Sequence, residues 1–212
     1  MSNAQPMRIG IMGGTFDPIH IGHLVAAEEA RTQFHLDKVI FMPAGIPAFK
    51  DGEHVTPAHH RYMMAELATI SNPHFEVSDL EIKRQGITYT VDTMRHMKEL
   101  YPEAELFFIT GADAVIEIIS WKDSAELANL VTFIATTRPG YDIEQAKQRH
   151  QDSIINFKVA WIEVPALSVS STDLRARLSE GRSVRYLIPR SVLGYINKLG
   201  LYNVEKQGYL CE

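Results

Sequence analysis

Apolar residues in this chain fall into short continuous runs separated by amphipathic stretches. The runs Arg8–Met12, Lys38–Met42, His74–Val77, Glu105–Thr110, Leu130–Ala135 and Phe157–Ile162 are short and rich in β-formers, and they predict strands. Between them, helical patterning covers His23–Phe34, Pro57–Ile70, Thr90–Leu100, Asp123–Leu127, Ile143–His150, Ser171–Leu178 and Pro189–Leu199. The run Leu106-Phe107-Phe108-Ile109 is apolar at successive positions, as in a strand covered on both faces of a parallel sheet. Alternation of strand and helix then predicts a doubly wound, mostly parallel α/β sheet with helices on both faces. Residues 7–204 are expected to form one domain, with 170–204 as a small helical C-terminal part. Met1-Ser2-Asn3-Ala4 reads as a remnant of an expression tag and is set aside. Two irregular segments, Pro43–Thr56 and Ser179–Arg185, read as mobile loops.

The first strand runs into Gly13-Gly14-Thr15-Phe16-Asp17-Pro18-Ile19-His20-Ile21-Gly22-His23. A buried strand, a glycine turn and a helix start in succession form the place where α/β proteins bind phosphates. His20 and His23 are three apart and lie side by side on a first helical turn. Gly22 between them removes a side chain, which lets a phosphate approach the backbone. Asp17 followed by Pro18 also reads as a helix start. Neither the Walker loop nor the dinucleotide G-x-G-x-x-G spacing is present here. The pattern resembles the extended His-x-Gly-His signature of nucleotidyltransferases.

A second anion element follows the Trp161–Pro165 run. Ser170 and Asp173 satisfy a capping box at the start of Ser170-Ser171-Thr172-Asp173-Leu174-Arg175. The unpaired N–H groups of that helix start suit an anion, and Arg175 adds a charged donor. Arg177 points away from it. Lys50 follows the second strand, on the same edge of the sheet as the first motif.

Composition narrows the class. The 212 residues carry 21 Lys and Arg against 26 Asp and Glu, a formal charge of −5, which disfavours broad nucleic-acid or anionic-membrane binding. Any polyanion site is therefore a local basic pocket. The single cysteine, Cys211, excludes an internal disulfide or a cysteine metal cluster. No apolar run approaches a membrane span and no secretory signal is visible, so the cytoplasm is the expected location. His59, His60 and His74 read as loop and surface residues rather than metal ligands, and no protein metal site is expected.

Taken together, the motifs resemble those of the bacterial nicotinate-nucleotide adenylyltransferases, from Arg8 to about Tyr202. The likeness runs through Gly13–His23, Thr88-Tyr89-Thr90-Val91-Asp92-Thr93, Gly111-Ala112-Asp113 with Trp121 beyond, Arg138-Pro139-Gly140-Tyr141, Val169–Arg175 and Tyr186-Leu187-Ile188-Pro189. The resemblance implies a Rossmann-like nucleotidyltransferase fold and adenylyl transfer from ATP to nicotinate mononucleotide. It assigns catalytic contacts with the ATP phosphates to His20, His23 and Arg175. Gly13, Gly14, Thr15, Phe16, Lys50, Gly111, Ser171 and Thr172 are implied at ATP. Thr90, Asp113 and Trp121 are implied at nicotinate mononucleotide, with Trp121 stacked on the pyridine ring and Thr90 near the carboxylate. The family's loop commonly reads Pro-Pro-His-Lys, whereas this chain has Pro47-Ala48-Phe49-Lys50 and so lacks that histidine. Mg²⁺ is implied on the ATP phosphates. Other acceptors (nicotinamide mononucleotide, phosphopantetheine) and a nucleotide-sensing module without turnover are the alternatives, and a homo-oligomer is left open.

Overall fold

The computed structural model describes residues 5–47, 55–84, 86–137, 157–165 and 167–202, together with isolated positions between 138 and 156. Among these, six parallel strands pair in one sheet. They are β1 (Arg8–Gly14), β2 (Lys38–Pro43), β4 (Phe75–Val77), β6 (Glu105–Gly111), β7 (Thr132–Thr137) and β8 (Val159–Glu163), in the order β4-β2-β1-β6-β7-β8. The chain winds outward from β1 in both directions, so the strand order reverses between β1 and β6. That is where a doubly wound sheet opens a crevice at its carboxyl edge.

Side chains on alternate strand positions feed two separate cores. Ile9, Ile11, Ile40, Met42, Leu106, Phe108 and Phe133 pack on one face, beneath α4 (Thr90–Leu100) and α6 (Ser124–Leu130). Met12, Val39, Phe41, Phe107 and Ile109 pack on the other. That second face is covered by α1 (Ile21–Gln33), α2 (Ala58–Thr69), α7 (Ser171–Ser179) and α8 (Arg190–Leu199). Burial on both faces explains why these strands read as continuous apolar runs. Each fully buried large side chain contributes roughly 1.5–3 kcal/mol.

The doubly wound architecture and the helical C-terminal part are as the sequence predicts. Several shorter elements are additional: α3 (Leu80–Lys83), α5 (Ala112–Glu117) and a 3₁₀ turn at Ile118–Ser120. A second small parallel sheet pairs β3 (Ile46–Pro47) with β5 (Ile87–Thr88). Two-residue strands carry no periodicity. The expected Ile143–His150 helix and the Arg138–Tyr141 motif lie mostly or wholly outside the described residues, as do Phe49 and Lys50. None of the helices among the described residues is long and apolar enough to cross a membrane.

Candidate active site

The helix after the glycine turn starts earlier than its apolar pattern suggests. His20 holds the extended cap position of α1, and Ile21 is the first helical residue. Asp17 does not cap it. Its carboxylate is buried and accepts from the Tyr202 hydroxyl at 2.6 Å and from the Thr56 backbone N–H at 3.2 Å. His20 and His23 form the capping box instead, the His20 backbone N–H donating to His23 Nδ1 at 3.2 Å.

That bond sets the chemistry of His23. With Nδ1 accepting, the ring proton of neutral His23 sits on Nε2, which leaves Nε2–H as a donor. Burial, and secondarily the neighbouring His20, hold its pKa well below the usual histidine value. The two rings stack with centroids 3.7 Å apart. The Phe16 side chain lies in the core, where its ring meets His23 edge-on at 5.1 Å. Gly22 has a packing reason as well, since a Cβ there would press on the His20 ring and Val169 at 3.1 Å.

The second anion element docks onto the first. Ser170 caps α7, its side chain accepting from the Asp173 N–H at 3.2 Å. Ser171 Oγ donates to the Pro18 carbonyl at 2.9 Å, and Arg175 Nη1 donates to the Asp17 carbonyl at 2.8 Å. Arg175 thus ties α7 to the phosphate turn rather than standing alone. Arg177 turns back to Asp173 at 2.7 Å.

A cleft of about 680 Å³ opens at the carboxyl edge of β1, β6 and β7. Of the residues predicted for the site, it gathers Gly13, His20, His23, Gly111, Asp113 and Ser171. Gly14, Thr15, Thr172 and Arg175 are not among its lining residues. Thr110, Thr136, Thr137, Val164 and Leu167 line it too. They were not singled out in the sequence, although the carboxyl-end rule for β6 and β7 marks Thr110, Thr136 and Thr137. Among the described residues, no group of three or more His, Cys, Asp or Glu could hold a metal ion.

Of the residues that the resemblance implies at nicotinate mononucleotide, Asp113 lines the cleft, whereas Thr90 and Trp121 are not among its lining residues. Thr90 is the first residue of α4, and Tyr89 rather than Thr90 occupies its cap position. Lys122 Nζ lies 4.6 Å from the Tyr89 ring centre and 3.1 Å from Asp92, while Arg95 bonds Asp123 and Glu126. These contacts hold the Trp121–Asp123 turn against α4. The Trp121 ring meets Phe108 edge-on at 6.1 Å, and a Cβ on Gly13 would lie 3.1 Å from the tip of Phe108. The indole and the phosphate turn therefore rest on the same phenylalanine.

Two helix amino termini, stacked histidines and the reversal point of a parallel sheet define a nucleotide-binding α/β protein with a phosphate-handling cleft. The chain belongs to the cytidylyltransferase-like family, whose sequence model matches residues 11–177. It is 52% identical over 206 residues to a probable nicotinate-nucleotide adenylyltransferase of Desulfitobacterium hafniense strain Y51, covering 95% of this chain and 99% of that relative. A protein of the same description from Thermoanaerobacter sp. strain X514 is 52% identical over 209 residues, covering 96% and 98%. Among solved structures, the Plasmodium falciparum nicotinic acid mononucleotide adenylyltransferase complexed with NaAD superposes with a TM-score of 0.76 at 25% identity, covering 93% of this chain and 98% of that one.

Proposed function

We propose that this chain transfers the adenylyl group of ATP to nicotinate mononucleotide, releasing pyrophosphate and forming nicotinate adenine dinucleotide in NAD biosynthesis. The observation that carries this reading is the convergence of the α1 and α7 amino termini on one cleft, in a chain half identical end to end to the relatives above.

The acceptor phosphate has a second pKa near ~6 and is mostly dianionic at neutral pH, so it attacks the α-phosphorus in line without a general base. The protein's task is to hold two polyanions together. One pair of unit charges about 4 Å apart repels by about 1 kcal/mol in water and about 4 kcal/mol at an effective dielectric of 20. In this reading His23 Nε2–H and the backbone N–H groups of Gly22, Ser171 and Thr172 at the two helix starts meet that charge as donors, the Ile21 N–H being given to the Leu187 carbonyl at 3.0 Å. A metal ion arriving with such substrates would be held mainly by phosphate oxygens and water, and Asp113 is the acidic residue on the cleft wall that could assist it. When bound, it supplies charge neutralisation. In this reading Trp121 serves as the platform for the pyridine ring, and Thr90 at the start of α4 donates to its carboxylate.

A direct test supplies MgATP with nicotinate or nicotinamide mononucleotide in parallel and reads pyrophosphate release. A site of hydrogen-bond donors rejects the amide through its unpaired NH₂ group, so kcat/KM should favour the acid by at least about tenfold. Equal or reversed preference would overturn the acceptor pocket. Absence of release with both would overturn the reaction.

A further inference from the structure

Arg61 lies on α2, away from the motifs, yet its side chain is 1% exposed. Its guanidinium donates to three backbone carbonyls in three different segments. Nη1 reaches Thr15 at 2.7 Å in the phosphate turn, Nη2 reaches Gly45 at 3.0 Å just past β2, and Nε reaches Thr56 at 2.8 Å just before α2. Asp17 grips Thr56 from its other side, through the N–H.

Each of these carbonyls leads somewhere. In a trans peptide the C=O and the following N–H point in opposite directions, so anchoring Thr15 C=O fixes the orientation of the peptide joining Thr15 to Phe16. Gly45 precedes β3, which pairs with β5, and β5 leads through Tyr89 to Thr90. Space at this junction is tight, since a Cβ on Gly45 would overlap the Glu81 carbonyl oxygen. The ATP-side turn and the strand pair that carries the acceptor-side helix start are therefore pinned to one rigid planar group.

Stability alone is a poor reason for this arrangement. Burial penalises the guanidinium charge, and nearby Asp17 and Glu81 only partly offset that. Asp17 and Glu81 bond elsewhere, to Tyr202 and Thr93. An apolar residue of similar volume usually costs less than a buried charge. What an arginine adds is a fixed fork of donors that sets the relative positions of several acceptors.

We propose that Arg61 is a positioning residue that sets the distance and orientation between the ATP turn and the acceptor subsite. The inference rests on the adenylyl-transfer reading given above. In-line transfer is sensitive to such placement, a shift of about 1 Å costing up to ~10²-fold in rate.

Arg61→Lys keeps the charge but cannot span three carbonyls, and Arg61→Gln keeps a donor without the charge. For both, kcat should fall by roughly 10–100-fold. Separate binding of a non-hydrolysable ATP analogue and of nicotinate mononucleotide should change by less than about threefold, as expected where only their mutual placement is lost. Thermal melting of each variant reports folding. A kcat within about twofold of wild type, per folded molecule, would overturn the proposal in favour of a structural role. So would binding losses as large as the rate loss, or failure of both variants to fold. Wild-type turnover is the control. A wild-type protein silent with every mononucleotide refutes the reaction itself, whereas an active wild type with unaffected variants refutes only the role of Arg61.

Discussion

Replacing His23 with alanine should lower kcat by roughly 10²–10³, the usual loss when one preorganised donor to developing charge is removed. The side chain is prepared for that task on every side. The His20 N–H fixes its tautomer, the Phe16 ring supports it, and burial with His20 alongside keeps it neutral. The capping bond is lost as well, which costs about 1 kcal/mol of stability, so the variant still folds. His23→Gln, with an NH₂ donor at similar reach, should recover part of the rate. Single-turnover pyrophosphate release measured beside thermal melts separates the two effects. A rate loss below about threefold would remove His23 from the chemistry. The lowered pKa also fixes a sign. Between its folded value and about 6.5, the unfolded chain binds the extra proton, so this residue makes stability fall as pH drops below about 6.5.

Glu81 should act in the opposite direction. It is buried, accepts from Thr93 Oγ1 at 2.7 Å, and has its pKa pushed up to about 7, by burial first, with the Thr93 bond and the Arg84 and Arg61 charges opposing. A carboxyl raised on folding contributes stability that is fully present below about 4.5 and is lost as pH rises through about 7. Glu81→Gln keeps an acceptor for Thr93 and never ionises. It should therefore match wild type closely near pH 5 and exceed it near pH 8 by at most ~3 kcal/mol, roughly 6–12 °C in melting temperature. Urea melts at the two pH values test this. A variant less stable than wild type at pH 8, or a gap that does not change with pH, would show that the carboxylate is held ionised by its arginines.

The features legible in the sequence are those whose cause is local. β1 and β6 announce themselves because both faces are covered, and the Ser170 cap because its partner Asp173 is three residues away. The closeness of His20 and His23 is legible from their three-residue spacing, although His20 stands at the extended cap rather than on the helical turn. Asp17 misleads for the converse reason. Asp-Pro reads as a helix start, but the carboxylate is committed to Thr56 and Tyr202, 39 and 185 residues away. Arg61 gives no local signal at all, because a single arginine in an amphipathic helix is ordinarily solvated. Phe16 could be placed next to the nucleotide by its neighbours in the motif, but not turned inward, since its contact with Phe41 arises only once β1 and β2 are paired.

The bonds from Ser171 to Pro18 and from Arg175 to Asp17 join segments 153 and 158 residues apart. During synthesis the phosphate turn leaves the ribosome first and waits for its other half. At ~5–20 residues per second, that interval is roughly 7–30 s. Throughout it, the nascent chain can pair β1 with β2 and raise α1 but has only one of the two helix ends that line the cleft. A growing chain thus passes through a long stage with the cleft incomplete, and the cleft closes only when α7 docks.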